Sequence, residues 1–197
     1  PDTDKVNYAD LKVIDKWILK GAQSVLTQVE AHYDSFEFHK AHKAIYDFCN
    51  EDLSMYYLDM VKGRLYTYRA DSWERRAAQT AIYEVLNVLV RIIAPIFVFT
   101  SEEIWLNMRK VGDDSRISSV HLADWPKVNS LLAQHNLKPE ENIDSELKII
   151  IGLIPDVAKA LEEKRSLGLI GSSFDAKIKL LTISPKHYIL LSRLKSE

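Results

Sequence analysis

A chain of 197 residues with 47% apolar side chains, only six glycines and six prolines can bury a core, which excludes a disordered linker. A formal charge of -2 excludes a globally basic nucleic-acid binder, so any such surface must be a local patch. One cysteine, Cys49, excludes an internal disulfide framework and a cysteine-built zinc site, and the lack of an apolar run near ~18 residues predicts a soluble, cytoplasmic segment with no membrane span.

A helical period dominates the first two thirds of the chain. Asp10 is the expected N-cap of a first helix carrying Leu11, Ile14, Trp17, Ile18, Val25, Leu26 and Val29 on one face. Ser35 is the expected cap of a second, with Phe38, Ala41, Ile45 and Phe48 inward, which "CNED" should interrupt. A third carries Leu53, Tyr57, Met60, Val61 and Leu65, and "ADSW" breaks the chain after it. A fourth runs from about Trp73 with Ala78, Ala81, Ile82, Val85, Leu89, Ile92 and Ile93 inward. Pro95 ends or kinks it, because the ring removes a donor and disfavours helical geometry at Ala94. Thr100 and Glu103 have capping-box spacing for a fifth. Short connections between five amphipathic helices predict a bundle.

The pattern then changes. Residues 111–119 are turn-rich, "SVHLADWP" (119–126) reads as a short extended segment, and a polar connector follows. A sixth helix, Ser145 to Arg165, is interrupted at Gly152 and Pro155. "FDAKIKLL" alternates as a strand with Phe174, Ala176, Ile178 and Leu180 on one face, and Ser184 with Pro185 opens a last helix. The strand needs a partner, either "ISSVHL" or sequence beyond Glu197. The predicted organisation is a mainly α antiparallel bundle over 1–126, a connector over 127–144, and a small α/β appendage of helix, strand and helix over 145–197 that reads as truncated. A first residue other than Met fits a piece of a longer chain.

Catalytic patterns are absent from the sequence: the glycines form no phosphate loop, and there is no nucleophile elbow or H-E-x-x-H. His39 and His42 share a helix face but lack a third ligand, so no metal is expected. Glu102 and Glu103 read as first-turn carboxylates that favour the helix dipole. More informative is the stretch from Lys62 to Arg76, where five basic residues (Lys62, Arg64, Arg69, Arg75, Arg76) face two acids (Asp71, Glu74), with Tyr66, Tyr68 and Trp73 beside them. Aromatic faces for unpaired bases and cations for phosphates suit single-stranded RNA; the same residues also suit core packing and helix ends.

Helical phase divides that group. Arg64 falls on the buried stripe, seven residues after Tyr57, so it must either meet a carboxylate or bury only its stem, and a structural ion pair or hydrogen bonds to a neighbouring helix is the preferred reading. Lys62 and Tyr66 point outward. Arg75 and Arg76 sit in a first helical turn, where positive charge costs roughly a few tenths of a kcal/mol, which suggests a use elsewhere.

The series "DLSMYYLDMVKGRLY", "RRAAQT" and "APIFVFTSEEIW" resembles, in order and spacing, the anticodon-binding region of class I aminoacyl-tRNA synthetases, most nearly the isoleucyl branch over its valyl and leucyl relatives. "IDKWIL" (14–19), "SVHLADWP" and "EEKRSLGLIGSSFDAKIKL" (162–180) extend the resemblance over almost the whole chain. It implies a segment that grips the tRNA anticodon stem and loop, with Lys62, Tyr66, Arg69, Trp73, Arg75 and Arg76 as tRNA-binding candidates, and without catalysis of its own. The implied parent is a monomeric ligase that joins isoleucine to tRNA using ATP and Mg, its catalytic core being a partner within the same polypeptide and zinc belonging to a cysteine-rich tail. Its HIGH and KMSKS signatures do not occur in this sequence. One departure is Gly63, which stands where the isoleucyl pattern K-D-R-L-Y has an acid, and this leaves open what Arg64 or Lys62 pairs with. The rival reading is a helical protein-interaction module without an RNA role.

Overall fold

A computed structural model describes residues 4–108, 115, 117–126, 143–172 and 175–194. Seven α-helices are described: α1 Val13–Asp34, α2 Phe38–Asp47, α3 Asp59–Thr67, α4 Trp73–Ile93, α5 Val98–Asn107, α6 Ile143–Ser166 and α7 Pro185–Leu194. A π-helical stretch, Phe48–Leu58, joins α2 directly to α3, and short 3-10 turns lie at Tyr8–Asp10 and Val120–Leu122. The chain divides into two compact units, Pro1–Pro139 and Glu140–Glu197.

In the first unit α1 packs on α2, the π-helical stretch and α4. Ile18, Leu26 and Val29 from α1 meet Ala41, Phe48, Tyr57, Val61, Val85 and Ile92 in one buried cluster. Complete burial of each larger side chain contributes roughly 1.5–3 kcal/mol. Small residues set the helix spacing. Ala22, Ala77, Ala78 and Ala81 are buried, and a Cβ at Gly21 would sit 3.0 Å from the Phe48 ring, so any larger residue there would require that ring to shift by a few tenths of an ångström. A smaller cluster gathers Val90, Ala94, Trp105 and Val120. The Glu102 carboxylate accepts from the Ser119 hydroxyl and the Val120 amide, both at 2.9 Å, and so ties α5 to the second 3-10 turn.

Several local expectations are overturned, each for a local reason. "CNED" does not break the chain: both junctions of the π-helical stretch keep right-handed helical angles, Asn50 and Glu51 are exposed, and Cys49 and Asp52 are half-buried. Asp10 does not cap α1, because Tyr8–Asp10 winds as a 3-10 turn and Leu11 and Lys12 are extended before Val13. Ser35 closes α1 rather than opening α2. Thr100 lies inside α5, which starts at Val98, while the Ser101 hydroxyl donates back to the Phe97 carbonyl at 2.7 Å. Residues 120–122 form the 3-10 turn in place of an extended run.

In the second unit α6 runs through both Gly152 and Pro155 without interruption. The proline removes one hydrogen bond, but about three turns on each side carry the winding past it. Gly168, at φ 70, closes that helix in the left-handed region that favours glycine. Pro185 opens α7, and the His187 amide donates to the Ser184 hydroxyl at 3.4 Å. The expected α/β character is not found. Residues 176–180 are neither helix nor strand, and among the described residues no strand is present for them to pair with. Ile178, Leu180 and Leu181 instead line an open apolar cleft of about 720 Å³ with Ile150, Tyr188 and Leu191. Phe174, positions 111–114 and 116 of the turn-rich stretch 111–119, and positions 127–142 of the connector 127–144 lie outside the described residues, while 143 and 144 already belong to α6.

Candidate nucleic-acid interface

The helical phase of α3 decides what its last turns present. Val61 and Arg64 turn inward, leaving Lys62, Gly63, Tyr66 and Thr67 exposed. Tyr68 then takes an extended conformation, and Ser72 caps α4, accepting from the Arg75 amide at 3.4 Å. Arg75 reaches back, its guanidinium donating to the Tyr68 carbonyl at 3.0 Å, so the connection between α3 and α4 is stapled at both ends.

On this junction the Tyr66 ring is 78% exposed and Trp73 45%, with Tyr68 also exposed. Lys12, just before α1, places its ammonium 5.8 Å from the Trp73 ring centre. Lys62 donates to Asp59 at 2.7 Å, and that hydrogen bond and charge hold its ammonium above the usual lysine range. Arg69 donates to both Asp71 oxygens, at 3.2 and 3.1 Å. Exposed pairs of this kind contribute little, so a phosphate can compete with the aspartates. Arg76 is partly covered, 3.5 Å from the Asp4 carboxylate and 3.4 Å from Gln79. Four of the six residues named from sequence, Lys62, Tyr66, Arg69 and Trp73, are therefore exposed, whereas Arg75 and Arg76 are partly covered and engaged within the fold.

Behind this face lies a buried polar network. Arg64, 6% exposed, donates through both terminal nitrogens to the fully buried Asp15 of α1, at 2.8 and 2.7 Å. The Tyr57 hydroxyl donates to the same carboxylate at 2.8 Å. Burial, reinforced by the Asp15 charge, pushes the Tyr57 phenol far above its ordinary range. The partner of Arg64 is thus on α1, and Gly63 leaves it unaffected. Sequence reading missed Asp15, whose only signal is an acid on the apolar face of α1. Among the described residues no group of three or more His, Cys, Asp or Glu side chains is placed to hold a metal, and no helix is long and apolar enough to cross a membrane.

The sequence model for the anticodon-binding domain of tRNA ligases matches residues 15–180. The chain belongs to this family. The anticodon-binding domain is 41% identical over 180 residues to an isoleucine–tRNA ligase of Caldicellulosiruptor saccharolyticus, covering 91% of this chain and 19% of that protein. Identity to the Natranaerobius thermophilus isoleucine–tRNA ligase is 43% over 182 residues, covering 90% and 18%. For that of Thermotoga neapolitana it is 37% over 181 residues, covering 92% and 19%. The anticodon-binding domain thus spans about a fifth of the length of these relatives. The buried Arg64, Tyr57 and Asp15 lie inside the matched region, as does the whole α3–α4 junction.

Proposed function

We propose that this domain holds the anticodon stem and loop of isoleucine tRNA for a ligase that joins isoleucine to that tRNA with ATP and Mg. The bonds of that reaction are made in a catalytic core of the same polypeptide; this segment contributes binding and identity and needs no cofactor of its own. The supporting observation is the outward face of the α3–α4 junction, where Tyr66, Tyr68 and Trp73 stand exposed among Lys12, Lys62 and Arg69 on a rigid scaffold. Rings of this kind stack on unpaired bases, and cations beside them meet phosphates. A monomeric, cytoplasmic parent accompanies this reading.

The test is a titration of labelled isoleucine tRNA, and of a tRNA with a different anticodon, at low and moderate salt. Selective binding that weakens with salt is the expected result. Equal affinity for both tRNAs would remove anticodon identity from this segment.

A further inference from the structure

The second unit, Glu140–Glu197, buries little apolar surface. Among its described residues only Leu147 and Leu190 are buried apolar side chains, while Leu181 is 84% exposed and Ile183 wholly so. A domain of about 60 residues is marginal even when it buries about 60% of the surface its unfolded chain exposes. This unit therefore needs a cover for its apolar side chains.

Residues 176–183 show what kind of cover fits. Exposure alternates along them: Ala176 and Thr182 are partly covered and Ile178 and Leu180 half exposed, whereas Lys177, Lys179, Leu181 and Ile183 are all exposed. A period of two is the geometry of a β-strand with one face turned toward a core. That face borders the cleft lined by Ile150 of α6 and by Tyr188 and Leu191 of α7. The hydrogen-bond ladder is what is missing. Among the described residues, the N–H and C=O groups of 177–181 meet no other backbone group. An open row of backbone donors and acceptors beside an apolar cleft is a template for a second strand.

We infer that residues 176–182 are one strand of a sheet completed by a β-strand from another part of the same, longer polypeptide, whose apolar side chains fill the cleft of about 720 Å³ beside Ile178 and Leu180. The open backbone selects a strand over a helix or an RNA, neither of which presents backbone donors and acceptors at ladder spacing. Tethering selects the same polypeptide over a separate protein. Surface that a unit needs for its own core has to stay covered, and a linked segment acts at an effective concentration on the order of mM. Chain for this purpose exists in the relatives, of whose length the matched stretch is 18–19%. Opposite Lys177 and Lys179 the incoming strand carries acidic or neutral residues, since like charges directly across a ladder destabilise it. This inference does not depend on the RNA-binding reading.

The experiment follows amide exchange by mass spectrometry in the full polypeptide that carries this segment. Amides of 177–182 should exchange at least about a hundredfold more slowly than in an unfolded chain. That protection should be the same without tRNA and across about a hundredfold range of protein concentration. Protection below about tenfold overturns the inference, because no ladder is then present. Protection lost on dilution overturns it in favour of a second copy, and protection that appears only with tRNA overturns it in favour of RNA. Leu180→Asp puts a charge into the cleft and leaves the backbone able to pair. Exchange at 177–182 should then quicken at least about tenfold, with α4 amides within about twofold of the unaltered protein as the control for folding. Unchanged exchange at 177–182 in this variant overturns the cleft as the place where the incoming strand packs.

Discussion

Arg64 and Asp15 form a two-pronged ion pair, at 2.8 and 2.7 Å, that joins α3 to α1 across the interior of the bundle. Asp15→Ala leaves the guanidinium buried without its anion. The expected loss is about 3–5 kcal/mol, read from urea unfolding. Replacing both partners with apolar residues, as in Asp15→Leu/Arg64→Met, should recover much of it. A single Asp15→Ala variant as stable as the unaltered protein would show that water reaches the pair.

Tyr57→Phe removes one donor from the same carboxylate and keeps the ring. Hydrogen bonds to charged groups are worth about 1.5–3 kcal/mol, and the loss should fall in that range. A change below about 0.5 kcal/mol would mean that Arg64 alone satisfies Asp15.

Stability should also fall on the alkaline side. Burial raises the Tyr57 phenol, with Asp15 adding to the shift, and burial raises the Cys49 thiol. In the unfolded chain these groups ionise near about 10 and 8.5. Above those values the unfolded state binds fewer protons than the folded one, so stability declines as pH rises. Unfolding midpoints from pH 7 to 10.5 in the unaltered protein and in Tyr57→Phe check this. The variant should show a shallower decline, and an equal slope would remove Tyr57 as its source.

Gly63→Ala should stabilise the protein by about 1 kcal/mol. Glycine inside a helix costs about that relative to alanine, and nothing lies within 4 Å of the added methyl. A higher unfolding midpoint is the readout. A lower one would show that this turn needs glycine for a reason other than space.

Salt dependence separates the roles of the basic residues in tRNA binding. Lys62→Ala and Arg69→Ala should each lower the salt slope by about 0.7–0.9. Arg75→Ala should weaken binding with the slope unchanged, because Arg75 is already committed to the Tyr68 carbonyl at 3.0 Å and acts by holding the junction. An equal fall in slope for Arg75→Ala would make it a phosphate contact instead.

Much of the bundle was legible because periodicity is local. The inward phase of Tyr57, Val61 and Arg64 and the outward phase of Lys62 and Tyr66 follow from counting within one helix. Continuity was not legible. At about 100° per residue, unbroken α winding from Ile45 would turn Gly63 inward and carry Arg64 away from that face. The π-helical stretch absorbs the difference, and a polar tetrapeptide in the sequence does not distinguish a wider helix from a break. Nor could spacing identify Asp15, whose partner is 49 residues away. Helix starts at Val13 and Val98 were missed because neither has a side-chain cap. The strand expected around Ala176 and Ile178 came from alternation alone, which says nothing about whether a neighbouring strand is available.

From Phe38 to Thr67 the backbone winds without a loop, α2 passing into the π-helical stretch and then into α3. That segment is a ruler of roughly 40 Å. Phe38 stands at one end and the Lys62 and Tyr66 face at the other, so their separation and relative rotation are fixed by residue count. A single insertion between them would change both distance and angle at once, and no flexible joint exists within the ruler to restore either.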